Sequence, residues 1–130
     1  MTLLDIADML ALKLGTEEIY AGNIDANQQR CIGVYNAKSA GLKKICLGGK
    51  ACTKTLEKKI SILIHWTDDP SQAERKAQAV SAALSELRNC ECGDYILKFV
   101  QSNDPVDVGR DERGICEYVI ECRIYYERKD

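Results

Sequence analysis

Residues 104–127 read DPVDVGRDERGICEYVIECRIYYE, and the second half of this stretch sets how the rest of the chain must pack. Cys116, Tyr118, Ile120, Cys122, Ile124 and Tyr126 fall on one face, while Glu117, Glu121, Arg123 and Glu127 fall on the other. That period of two belongs to a half-buried strand, whose successive side chains point to opposite faces. The first half, with Asp104-Pro105, Gly109 and Gly114, is turn chemistry and predicts a long loop feeding the strand.

Working back from it, YILKFVQ (95–101) predicts a second strand, adjacent to the last one and joined to it by the long loop. NCECG (89–93) reads as a turn. Before it, DDPSQAERKAQAVSAALSEL (68–87) carries the clearest boundary in the chain. Asp69 can cap, Pro70 suits the first helical position, and Gln72 sits where a reciprocal capping side chain belongs. Ala73, Ala77, Val80, Leu84 and Leu87 then form one apolar stripe, which predicts a helix of about five turns lying on a sheet. LEKKISILIHW (56–66) alternates Ile60, Ile62, Ile64 and Trp66 with Ser61, Leu63 and His65 and predicts a strand.

At the start of the chain, Thr2 and Asp5 resemble a capping pair, and Leu3, Ile6, Ala7, Leu10 and Leu14 give a helix closed by Gly15. Residues 16–29 read as a connection and RCIGVY (30–35) as a strand; a short strand at 43–47 fits inside the irregular stretch 36–53. The order α-β-(β)-β-α-β-β has no repeated βαβ rhythm. It predicts one α+β domain over residues 1–130, a mostly antiparallel sheet with both helices on one face.

At 130 residues the chain is long enough for one core and short for two. No apolar run reaches membrane-spanning length, and MTLLDIADML lacks the basic start of a signal peptide, which predicts folding in the cytosol. Seven scattered cysteines are then reduced thiols, with Cys116 and Cys122 acting as small hydrophobes on the last strand. Charge is uneven. Lys38–Lys59 holds seven lysines against one acid, whereas 103–130 holds eight acids against five bases.

Chemical motifs are sparse. His65, the sole histidine, lies in an apolar strand with no orienting group near it in sequence, and reads as structural or interfacial. Cys90 and Cys92, with Cys46 and Cys52, make a weak thiolate set without a C-x-x-C pair. Gly48-Gly49-Lys50 lacks the phosphate-loop pattern, no serine sits in a nucleophile elbow, and the lysine cluster has no interleaved rings for reading bases. The acids of 104–114 do not follow calcium-loop spacing, and turn capping accounts for them.

Three places together resemble a known family. They are LLDIADMLALKL leading to GVYN (33–36), ISILIHWTDDPSQAERKAQAVSAALSEL (60–87), and PVDVGRDERGICEYVIECRIYYE (105–127). The chain resembles the minor capsid and tail terminator proteins of long-tailed bacteriophages and prophages, the group that includes the phage lambda tail terminator. The resemblance implies a non-enzymatic virion protein with no catalytic residue, cofactor or metal. It also implies a ring, commonly a hexamer, that caps the tail tube and meets head-tail connector proteins in the neck, assembled in the host cytoplasm and contacting DNA in the lumen unspecifically. On that reading the candidate assembly residues are Lys38, Lys43, Lys44, Lys50 and Lys54, together with Asp104, Asp107, Arg110, Asp111, Glu112 and Arg113. A head-completion or stopper protein, and a small cysteine-based metal or thiol module, are the alternatives.

Overall fold

The computed structural model describes residues 1–15, 18–24, 29–37 and 55–129. Its elements are α1 (Leu3–Leu14), β1 (Ile19–Ala21), β2 (Cys31–Asn36), β3 (Leu56–His65), α2 (Pro70–Glu86), β4 (Arg88–Cys92), β5 (Tyr95–Ser102), β6 (Val106–Arg110) and β7 (Cys116–Arg128). They form an α+β fold, one sheet in the order β1-β2-β3-β7-β5-β4 with β6 paired to β7. Every pairing is antiparallel except that of β1 with β2.

The alternation of β7 places it at the middle of this sheet. On one side Glu117–Tyr126 pairs with Leu56–His65 in unbroken register, so that Ile62 faces Ile120 and Ile60 faces Cys122. On the other side β5 pairs with residues 122–128 and β6 continues the same edge against 116–119. The Asn103 N–H bridges the gap between them by donating to the Glu121 carbonyl, 3.0 Å away. A register shift at Lys98 turns Leu97 and Val100 toward the core side and leaves Phe99 on the opposite face.

Both helices cover that core side. The apolar stripe of α2 (Ala77, Val80, Leu84) and Ile6, Ala7 and Leu10 of α1 meet Ile32, Val34, Ile60, Ile62, Ile64, Leu97, Ile120 and Ile124, all at most 2% exposed. Helix α1 starts from a closed capping box: Thr2 Oγ1 accepts from Asp5 N at 3.1 Å and Asp5 Oδ2 accepts from Thr2 N at 2.9 Å. The Thr2 backbone N–H first, and then the Thr2 side chain, hold the Asp5 carboxyl below the usual carboxylate range. In α2, Asp69 accepts from Ser71 N as expected, but Gln72 takes the hydroxyl of Thr67 and does not return to Asp69.

Three sequence expectations need correction. The connection at 16–29 contains β1, which is too short to show a period. The turn expected at 89–93 is strand β4, which α2 enters directly because Leu87 caps the helix in an extended conformation. The loop before the last strand contains β6, hidden because it is exposed along its whole length and interrupted by a bulge between Asp107 and Gly109. The sheet is mostly antiparallel, as expected, with β1 parallel to β2. The short strand expected at 43–47 lies outside the described residues. Among the described residues, no helix is long and apolar enough to cross a membrane.

The far side of the sheet carries no helix among the described residues. Phe99 stacks on Tyr125 there (4.5 Å, 19°), Arg123 pairs with Glu57 at 3.0 Å, and Ser61 donates to Glu121 at 2.6 Å. Gly33 is fixed by packing on this side, since a Cβ would lie 2.6 Å from both Ile24 Cγ2 and Tyr35 Cε2.

Because Ile120 is fully buried against Ile62, Ile120→Ala is expected to lower stability by about 3–4 kcal/mol. Leu12→Ala, at a residue 86% exposed, is expected to change it by less than about 0.5 kcal/mol. Urea denaturation of both variants, with the slope unchanged, is the measurement.

Candidate functional site

The six described candidate residues, Asp104, Asp107, Arg110, Asp111, Glu112 and Arg113, lie on or beside the β6–β7 hairpin. Asp104 and Pro105 break the chain between β5 and β6. Together with Tyr118 they face Glu74, Gln78 and Ser81 of α2 across a cleft of about 590 Å³. Burial, and then the carboxylates of Asp107 and Glu74, raise the Tyr118 hydroxyl above its usual range. The Asp107 carboxylate accepts from Gly109 N at 2.8 Å, an Asx turn that shapes the bulge, and Gly109 sits at φ 98°, where an L side chain is strained.

Arg110 folds back onto backbone. Its Nη1 donates to the carbonyls of Asp68 (3.0 Å) and Gly114 (2.8 Å), tying β6 to the entry of α2 and to its own turn. Asp111 turns inward as well: Oδ1 accepts from the N–H groups of Arg113 and Ile115, both at 2.9 Å, while Oδ2 lies 2.8 Å from His65 Nε2. Those donors, the His65 hydrogen bond first, hold the Asp111 carboxyl below the usual carboxylate range. Glu112 and Arg113 form the exposed tip.

Sequence reading offered no partner for His65, and the structure supplies one 46 residues away. The imidazole is fully buried at the end of β3, and Nδ1 lies 2.8 Å from the Gln29 carbonyl oxygen. Next to it, the half-buried ring of Trp66 has Lys76 Nζ at 4.7 Å and the Arg30 guanidinium at 5.7 Å from its centroid, two cation–π contacts that join α2 and the start of β2. No local motif announces the His65–Asp111, His65–Gln29 and Arg30–Trp66 contacts, because each joins elements distant in sequence.

Lys38, Lys43, Lys44, Lys50 and Lys54, with Cys46 and Cys52, lie outside the described residues. Cys90 donates weakly to the Met9 sulfur at 3.8 Å, and Cys92 and Cys122 are buried in the core. Burial pushes the Cys92 thiol up to about 11 and the Cys122 thiol up to about 12. Among the described residues, no three His, Cys, Asp or Glu side chains gather in a set that could hold a metal.

The sequence matches the family model for bacteriophage tail terminator protein over residues 4–128. The chain belongs to the bacteriophage tail terminator family. No curated protein matches it. Among solved structures, a chain of the virion of a native gene transfer agent particle superposes with a TM-score of 0.59 at 13% identity, covering 96% of this chain and 89% of that one. A second solved chain gives a TM-score of 0.52 at 10% identity, covering 98% of this chain and 89% of its own length. At such identities the likeness shows the shared fold. The terminator family is a structural one, and a virion structural role follows for this member.

Two measurements check this geometry. The Asp111 carboxyl is held low in the fold, so its contribution to stability is full above about pH 4 and is lost as pH falls through the lower folded value. The midpoint difference between native protein and Asp111→Ala is therefore expected to shrink as pH falls from about 5 toward 3. At pH 8, with a thiol near 11, about one Cys92 in a thousand is thiolate. Iodoacetamide is therefore expected to leave Cys92 and Cys122 unmodified in folded protein and to label both in urea, as read by peptide mass spectrometry.

Proposed function

We propose that this tail terminator, acting as one folded domain over residues 1–130, self-assembles into a ring that caps the tail tube and contributes to the head-tail junction. The family match over residues 4–128 carries the reading. The surface is consistent with it. A closed ring needs a heterologous contact, in which one patch of a subunit meets a different patch of its neighbour. The β6–β7 hairpin presents such a patch: β6 is exposed throughout, with Val106 56% and Val108 52% exposed. Its acids, Asp104, Asp107 and Glu112, have an opposite in the lysine-rich stretch Lys38–Lys54, and these two segments are proposed to meet across the subunit boundary. A hexamer is the expected copy number. The tube protein and connector proteins are the expected partners, lysines facing the lumen make unspecific contact with DNA, and assembly takes place in the host cytoplasm.

Light scattering and negative-stain imaging, alone and with purified tail tubes, test the proposal. Rings are expected in solution or on tube ends. Reversing Lys43 and Lys44 to Glu is expected to abolish them, and also reversing Asp104 and Asp107 to Lys is expected to restore them. A protein that stays monomeric in both conditions would overturn the reading.

A further inference from the structure

The chemistry around His65 fixes more than its orientation. A carbonyl oxygen only accepts, so Nδ1, 2.8 Å from the Gln29 carbonyl, must carry a hydrogen. An ionised carboxylate also only accepts, so Nε2, 2.8 Å from Asp111 Oδ2, must carry one too. Asp111 is the ionised partner: the two backbone N–H groups on its other oxygen and the His65 contact hold its carboxyl below the usual range. A neutral imidazole has a single N–H and leaves one of these acceptors facing a bare lone pair inside the protein, a group that is costly to bury unmatched.

We infer that His65 is a buried imidazolium whose two protons latch the approach to β2, the end of β3 and the β6–β7 turn into one unit. The groups facing it fit a cation. Asp111 comes from the turn, and Glu117 of β7 lies directly across from His65 in the ladder. From β2, the Cys31 sulfur lies 3.6 Å from Nδ1. Burial raises the Glu117 carboxyl. The neighbouring cations are engaged elsewhere: Arg30 and Lys76 on the Trp66 ring, and Arg110 on the carbonyls of Asp68 and Gly114.

His65 is thus a positioning residue for the hairpin. Its second proton holds Asp111, and Asp111 in turn holds the N–H groups of Arg113 and Ile115 at the tip. The latch is complete while Asp111 is ionised and His65 doubly protonated. It loosens on the acid side as Asp111 gains a proton. That this hairpin then meets a neighbouring copy rests on the proposed ring; the protonation of the latch does not.

Because the chain has one histidine, a two-bond ¹H–¹⁵N spectrum of ¹⁵N-labelled protein reports His65 without assignment. At about pH 7 both ring nitrogens are expected at imidazolium shifts, as the two acceptors facing them require. In Asp111→Asn the ring is expected to be neutral at the same pH. A native ring with one bare nitrogen at that pH would overturn the inference, as would an Asp111→Asn ring that stays fully charged. Should Asp111→Asn fail to fold, an upward pH titration of native protein decides instead. Amide protection at Arg113 and Ile115 is expected to fall in step with ring deprotonation, and protection that persists past it refutes the latch. Absence of rings alongside an imidazolium spectrum removes the ring reading and leaves this one standing.

Discussion

The pairing of β7 with β3 is the contact on which the rest of the structure depends. Ten consecutive residues of each strand face one another without a bulge, which brings two alternating sets of side chains into phase. Ile60, Ile62 and Ile64 line up with Cys122, Ile120 and Tyr118, making a continuous apolar strip down the middle of one face. A slip of one residue in either strand would send its whole set to the wrong side. Helix α2 packs on this strip, α1 lies against β1, β2 and β4, and β2 and β5 extend the strip on either flank. The register of this pair therefore precedes helix docking in the logic of the fold.

Much of this was legible because period and burial agree. The 4-3-4-3 stripe of α2, from Ala73 to Leu87, is at most 3% exposed, and the capping residues Thr2, Asp5 and Asp69 make the bonds their positions predict. What escaped sequence reading lacked a period. Strand β6 buries neither face, so VDVGR shows no alternation between core and solvent; it is held by backbone pairing to β7 and by Arg110. Strand β4 was masked by NCECG, whose polar and glycine content reads as a turn, although only Gly93-Asp94 turns the chain between Cys92 and Tyr95. Gln72 had the right spacing for a capping box, but the Thr67 hydroxyl competed for it.

The candidate surface shows the same division. Sequence gathered Asp104 through Arg113 as one charged loop. The structure separates those residues by job: Asp107 and Asp111 shape turns, Arg110 ties the hairpin to the start of α2, and Glu112 and Arg113 stand at the tip. The His65–Asp111 contact spans 46 residues and two elements, so no local pattern could have reported it. A sole histidine in an apolar strand was nevertheless a usable signal, since a buried imidazole requires partners wherever they come from.

The two sides of the sheet differ in a way that bears on how such a protein changes over time. The helix-bearing side holds the packed strip, where volume and shape are constrained to within a methyl group. The opposite side carries Lys59, Ser61, Gln101, Glu121 and Arg123 around a shallow groove of about 750 Å³, and these residues contribute little to the core. Substitution in that polar row can alter what the molecule touches without disturbing how it folds. Exchanges in that row therefore give the chain new neighbours while the same skeleton is kept.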